Sequence, residues 1–542
     1  MIEEVKEQSI IYKIFKIIFA ILFSGILTID RVIEWSGDIF GAVSFNVITN
    51  KEIVFFIYMF IITILAIDII NIILKHINKK FVSNENNKKK WWMLFVFTAI
   101  IIVLWLPYIL TYFPGGIYSD TTVSISQARG ESELTNHHPM LYTLLIRFFI
   151  TISNNNLQIA MNIFTIVQIV TTAMVFAYFV YFLYKINVSK LFYIPVLLFF
   201  GIYRIIPLFT ISIWKDVWFC NALMLYSILI LETIYTDARN MRELKNIIKY
   251  IVLMFLVSFL RNNGIYVVIL TTIILLFVYR KNIKIYLKLF SVLTTICVIL
   301  MMLIRGPVYK AIGISKDETV ESVGVLLQQM TYVAITDGNL NEEQRNFIEQ
   351  ICPIDTLKVI YAPCTVDKIK GHVSFNSEIV NKNQKTFLIM WLKIGMKNPI
   401  KYTKAFLMET LGFWDVNKAS FVAYVQPSNF SSGGVYDEVI QNNYLNQFFG
   451  LKLYNKLYPK QPVSHAIFFW IMMLGIINIV RFKKYKYVLV YIPSLVLYTT
   501  LLMATPIAFS LRYIYILVMM LPFAVILPML NQPNKLLNEK NK

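Results

Sequence analysis

Tyr112-Phe113-Pro114-Gly115-Gly116-Ile117-Tyr118-Ser119-Asp120, followed by Asn136-His137-His138-Pro139, ends a long apolar run from Trp91 to Phe113. Pro114, Gly115 and Gly116 cannot prolong the helix that this run predicts, so the chain must turn there. Just past the turn stands a carboxylate, then a histidine pair, then another apolar segment. The fold depends on whether the helix before the turn crosses a bilayer, and in which direction.

Composition answers the first question. Of 542 residues, 57% are hydrophobic, and the mean hydropathy is +0.62. Soluble domains are roughly 45–50% apolar. Apolar runs of about 20 residues recur along the chain, the length a bilayer core requires. They are continuous rather than alternating, which selects helices over a closed barrel. The net charge of +20 does not mark a nucleic-acid partner. Lys and Arg gather in short loops between apolar runs, as cytoplasmic loops do. Of the four cysteines, Cys220 and Cys297 lie in apolar runs and read as small hydrophobes. Cys352 and Cys364 share a polar region, where either a bridge or two free thiols is open. The first apolar run, Ile10 to Ile29, has no small-residue cleavage site after it and reads as a retained span.

The positive-inside pattern answers the second question. Lys6, Lys13 and Lys16 set the N-terminus inside, and Ile53 to Leu74 returns the chain to a loop with Lys75, Lys79, Lys80, Lys88, Lys89 and Lys90 against Glu85. The run from Trp91 therefore points outward. Met140 to Ser153 is short and interrupted by Arg147, so it reads as an interfacial helix. Leu157 to Tyr184, Leu191 to Thr210, Val217 to Tyr235, Ile247 to Leu260, Ile265 to Tyr279 and Leu287 to Ile304 then alternate. Arg305 to Ser464 is a large, mainly helical extracellular segment. In it, Asn341 caps a helix, Pro399 opens one, and Ser431 to Gly434 forms a flexible tip. Phe387 to Trp391 and Ala405 to Trp414, interleaved with lysines, suit either a headgroup layer or an ordinary packed subdomain. Ala466 to Val480, Val488 to Ala504 and Leu511 to Leu530 close the chain. The expectation is an all-α polytopic membrane protein with about 12 transmembrane helices and both termini cytoplasmic. Its parts are 1–90, a core 91–304 with the outer loop 114–156, the segment 305–464, and 465–542.

Sorted by depth, the ionisable groups favour one surface. Asp120, His137, His138, Lys215, Asp216, Arg261, Asn262, Asn263 and Arg512 fall at outer ends of spans, with Arg204 about two turns below. The middles of the spans are nearly free of charge. A transporter tends to keep such groups near the midplane, whereas an enzyme acting on a lipid headgroup needs them at a surface. Each residue also has a plain reading: Asp120 as a helix cap, His137-His138-Pro139 as a helix start, Trp214-Lys215-Asp216 as an interfacial anchor with a local ion pair, Arg261 to Gly264 as a turn, Arg512 as an anchor.

With Asp120 in a Pro-Gly-Gly loop, His137-His138-Pro139 before an interfacial helix, Trp214-Lys215-Asp216 and a large later outer segment, the chain resembles a bacterial branch of the GT-C class of membrane glycosyltransferases. The resemblance implies a polyprenyl-phosphate-linked sugar as donor and a cell-envelope hydroxyl as acceptor, at the outer face of the cell membrane. Asp120 would be the general base, with Asp216 and His138 beside it. Arg261, Lys215, Arg204 and Arg512 would stabilise the departing phosphate, with His137 and Asn262 also in the substrate site. No cofactor is certain; Asp120 and Asp216 could together hold Mg2+ or Mn2+. A transporter or flippase of a lipid-linked saccharide, and a non-catalytic scaffold, are the alternatives.

Overall fold

A computed structural model describes residues 9–82, 90–279, 284–315, 319–420, 439–457, 462–504 and 507–531. Lys6, most of the basic loop after Lys80, the tip Ser431 to Gly434 and the C-terminal basic tail lie outside the described residues. The described residues are mainly helical and include one two-stranded ribbon, Ile33–Trp35 against Val43–Phe45, which the apolar pattern did not signal.

The first twelve helices are α1 (Ile10–Val32), α2 (Asn50–Asn78), α3 (Met93–Tyr112), α4 (Ser119–Arg129), α5 (Met140–Ile152), α6 (Leu157–Lys185), α7 (Lys190–Ile202), α8 (Ile205–Ile211), α9 (Lys215–Tyr235), α10 (Leu244–Leu260), α11 (Gly264–Tyr279) and α12 (Lys284–Leu303). All twelve segments read as spans are helical. Among the described residues, eight helices are long and apolar enough to cross a membrane, or nine if α7 and α8 form one broken span. The other three, α10, α11 and Ala466–Arg481, have 17, 16 and 16 residues. By length and composition this is a multi-pass membrane protein.

The run from Leu191 to Thr210 is not one straight helix. It bends by 53° between α7 and α8. Pro207 explains the break. An unbroken helix would lose its bond to the Tyr203 carbonyl and clash with it, whereas in the first turn of α8 no N–H is required.

Two elements form the centre. α9 and the stretch Leu511–Met529 are each 83% buried across their apolar windows, against 11% for α2. Around them α3, α6, α7, α10 and Ile492–Ala504 share one apolar core. Side-chain bonds fix the register: the Trp105 indole donates to the Phe200 carbonyl (3.0 Å) and Asn221 to Thr172 (2.8 Å). The α1–α2 hairpin stands at the edge and touches the core chiefly through Ala466–Arg481. Its helices are held together by Lys16 and Asp68 (2.5 Å).

Residues 319–409 build a second core from Leu327, Met330, Phe347, Ile348, Phe387 and Ile394. Helix Glu342–Ile351 begins at an Asn341–Gln344 capping box, and Pro399 opens Pro399–Glu409, both as the sequence predicts. This unit is tied to the bundle where Ala508 N–H donates to the Cys364 carbonyl (2.9 Å). Cys352 and Cys364 are free, buried thiols, so the bridge does not form. Helix α5, only 13 residues long, is two-faced: Leu144, Phe148 and Ile152 are exposed while Tyr142, Ile146 and Phe149 are buried.

Candidate functional site: an ion-paired cluster at one end of the bundle

The Pro-Gly-Gly turn is strapped to the segment that follows α8. Ile117 pairs with Ile213 as an isolated parallel bridge, and Ile213 N–H donates to the Gly116 carbonyl (3.0 Å). Thr121 Oγ1 donates to the Ile213 carbonyl (2.5 Å), and Thr165 of α6 to the Pro114 carbonyl (2.5 Å). The Gln168 amide of α6 reaches both the Thr210 and Ser212 carbonyls at 2.7 Å. Gly115 has φ +104°, and a Cβ there would lie 1.8 Å from the Ile211 carbonyl oxygen. Only glycine allows this left-handed turn so close to a second backbone. The strap places the start of α4, with Asp120, beside the start of α9, with Lys215 and Asp216.

Asp120 does not cap its helix. Tyr118 stands at the N-cap, and Asp120 lies in the first turn with its side chain turned to cations. Its Oδ2 lies 2.8 Å from Arg512 Nη1 and 3.0 Å from Lys215 Nζ. Lys215 Nζ also lies 2.7 Å from His138 Nδ1. Burial favours the neutral acid at Asp120, but the Lys215 and Arg512 charges outweigh it and hold the carboxyl far below the usual range. At His138, burial and the Lys215 charge push the pKa down to about 3, against the pull of Asp120. The ring is therefore neutral near pH 7, and Lys215 donates to Nδ1, which leaves the ring proton on Nε2.

A second pair lies next to the first. Arg261 Nη1 donates to Asp216 Oδ1 at 3.0 Å, and Asp216 is 1% exposed. Both guanidiniums lie over the Tyr513 ring, at 4.7 Å (Arg512) and 5.0 Å (Arg261) from its centre. Arg512 also lies 4.9 Å from the Trp214 ring, which packs at 4.4 Å on Tyr118. Arg512 Nη2 donates to the Tyr513 hydroxyl (2.9 Å).

The remaining predicted residues divide. Asn262 serves the loop: its amide donates to the Asn136 carbonyl (2.9 Å), which pins the residue before the histidine pair. His137 is exposed, its ring 4.7 Å from that of His138. Arg204 is not brought in; it sits exposed at the break between α7 and α8, and its charge acts on Tyr108.

Sequence reasoning missed Tyr513 and a trio on the 319–409 unit. There Lys370 lies 2.6 Å from Glu321 and 3.3 Å from Asp367, and Arg512 is close enough to act on Asp367. The i, i+3 spacing of Asp367 and Lys370 was the available signal.

The donor set does not fit a divalent ion shared by Asp120 and Asp216. Each carboxylate already faces a guanidinium, Asp120 an ammonium as well. Among the described residues no three His, Cys, Asp or Glu side chains are grouped for a metal.

Fold and site together define a polytopic helical membrane protein with a buried, charge-paired cluster at one end of its bundle. The chain belongs to DUF6020, a family of unknown function, whose model matches residues 127–542. The matched part contains every predicted site residue except Asp120, which lies just ahead of it. Neither the search of curated proteins nor that of solved structures found a match.

Proposed function

We propose that this protein is a membrane glycosyltransferase that moves a sugar from a polyprenyl-phosphate-linked donor to an acceptor hydroxyl. The observation that carries the reading is the meeting of Asp120, His138, Lys215 and Arg512, from three distant parts of the sequence, at the ends of apolar helices. In the reading, twelve segments cross the cell membrane, both termini are cytoplasmic, and the cluster faces outward. The donor's chain lies in the bilayer and its phosphate reaches Lys215 and Arg512, which Arg512 can grip bidentately. Asp120 takes the acceptor's hydroxyl proton as the oxygen attacks the anomeric carbon. The bond from that carbon to the phosphate oxygen breaks, and the lipid phosphate leaves with the electron pair, stabilised by the two cations. Direct attack inverts the anomeric centre.

The broken pair α7–α8 favours the alternative, a transporter or flippase of a lipid-linked saccharide, since discontinuous helices often line transport sites. Reconstitution with a radiolabelled polyprenyl-phosphate hexose and cell-envelope glycan acceptors separates the two. A new glycosidic bond, absent with Asp120→Asn, supports the transferase. Movement of label across sealed vesicles without a new bond replaces it with the transporter.

A further inference from the structure

The resting cluster poses a difficulty for its own chemistry. A general base needs a carboxylate that accepts a proton readily, yet both cations that pair with Asp120 do so on one oxygen, Oδ2. Two positive charges serve one negative charge there. They are also the two groups best placed to receive a phosphate, because Lys215 and Arg512 are each held by a further group. Lys215 is fixed by His138 at 2.7 Å, and Arg512 by the Tyr513 hydroxyl at 2.9 Å, between the Trp214 and Tyr513 rings. Neither cation depends on Asp120 alone for its position.

We infer that Asp120 is a place-holding anion: it occupies Lys215 and Arg512 until the phosphate of a lipid-linked donor takes them over, and only then is it free to act as base. This rests on the transferase reading above. The charge count shows how it works. Before the donor arrives, two cations are in direct contact with one carboxylate. Afterwards the same two cations contact a carboxylate and a phosphodiester, and the carboxylate's share of them is halved. The carboxylate's affinity for a proton rises as the phosphate binds, next to the carbon that is to be attacked. The surroundings reinforce the exchange. Asp216 is committed to Arg261, and Lys370 to Glu321 and Asp367, so neither neighbouring cation stands ready to replace Lys215 or Arg512. The arrangement makes the reaction ordered, donor first. It also guards the base against premature proton transfer while the site holds only water or acceptor.

The idea has a consequence opposite to that of an ordinary binding residue. Removing the place-holder's charge must tighten the lipid phosphate, because the competing anion is gone. The probe is polyprenyl phosphate without sugar, bound to the full chain in nanodiscs of zwitterionic lipid. Asp120→Asn and Asp120→Ala are both expected to bind it about tenfold more tightly than wild type, while Arg512→Met binds it more weakly. Equal or weaker binding by folded Asp120 variants, with clear binding by wild type, overturns the place-holder and leaves the transferase reading standing. Absence of binding by wild type and variants alike overturns both. Wild type answers even if the variants do not fold: with isotope-labelled aspartate, the infrared carboxylate band is expected to shift when polyprenyl phosphate binds. A band that does not move overturns the inference.

Discussion

The two carboxylates at the heart of the cluster are built differently. Asp120, at the start of the short helix α4, is 19% exposed and shares one oxygen between two cations. Asp216, at the start of the central helix α9, is 1% exposed and has one cation, Arg261, on one oxygen, while its buried Oδ2 has no hydrogen-bond partner among the described residues. The first pair can be reached and rearranged; the second is enclosed by the most deeply buried part of the fold. In the proposed transferase this difference gives Asp216 a framework role, fixing Arg261 beside Tyr513, and leaves the chemistry to Asp120. Asp216 is thus a positioning residue in that proposal, whereas the sequence reading placed it among the catalytic ones.

The comparison is tested most severely by paired substitutions. Asp120→Asn is expected to lower transfer by about 10²–10⁴-fold, the usual weight of a general base, with a smaller loss of stability than Asp216→Ala, because Asp120 is the more exposed of the two carboxylates. Asp216→Ala is expected to cost about 3–5 kcal/mol of stability, because it strands Arg261 in a dry site. Thermal unfolding in detergent checks this. The double change Asp216→Leu with Arg261→Met removes both charges and is expected to recover most of that loss. If Asp216→Ala melts like wild type but is inactive, the division of roles is wrong.

Gly115 tests the strap that joins the two carboxylates. Gly115→Ala combines a positive φ with a Cβ driven into the Ile211 carbonyl. It is expected to destabilise by about 1–3 kcal/mol and to lower transfer as α4 shifts away from α9. Preserved activity in a destabilised protein would show that the register of Asp120 tolerates more play than the cluster implies.

A smaller effect concerns pH. The His138 ring, with its pKa down near 3, and Asp120, lower still, do not titrate in the free protein between pH 5 and 7. kcat/KM is therefore expected to stay level across that range, while kcat, which reports the donor complex, gains an acid limb as bound phosphate raises Asp120. Stability behaves differently. A depressed histidine pKa means that the unfolded chain binds the proton more tightly, so stability is lost as pH falls from about 6.5 towards 3. The carboxyl of Asp415, in the polar segment, runs the other way. Burial raises it to about 7, so the stability its protonated form contributes is full near pH 4 and lost as pH rises through 7.

Much of this was legible in the sequence, and the rest was not for definite reasons. Continuous apolar runs specify helices wherever they fall, so all twelve segments could be placed. Length along a run does not reveal a bend set by one proline, so α7–α8 looked whole. The depth sorting brought Asp120, His138, Lys215, Asp216, Arg261 and Arg512 to one level, because helix ends in a bundle share a level. Which acid takes which cation is decided by rotation about each helix axis, and that is set by packing. Tyr513 was invisible for the same reason: a tyrosine in an apolar run reads as core until two guanidiniums are found over its ring.

Arg204 is where depth and rotation disagree, and it makes the gentlest test. By depth it stood two turns below the site, within reach if its chain snorkelled upward. In the structure it lies exposed at the α7–α8 break, where its charge acts on Tyr108. An exposed side chain without a structural partner in the cluster contributes within about 0.5 kcal/mol, which is roughly a twofold change in rate. Arg204→Ala is thus expected to leave both transfer and polyprenyl-phosphate binding within about twofold of wild type, while Arg512→Ala loses both. A large loss in Arg204→Ala would mean that the lipid phosphate approaches through the break. The donor site would then have to be redrawn around α8, with Asp120 at its far edge.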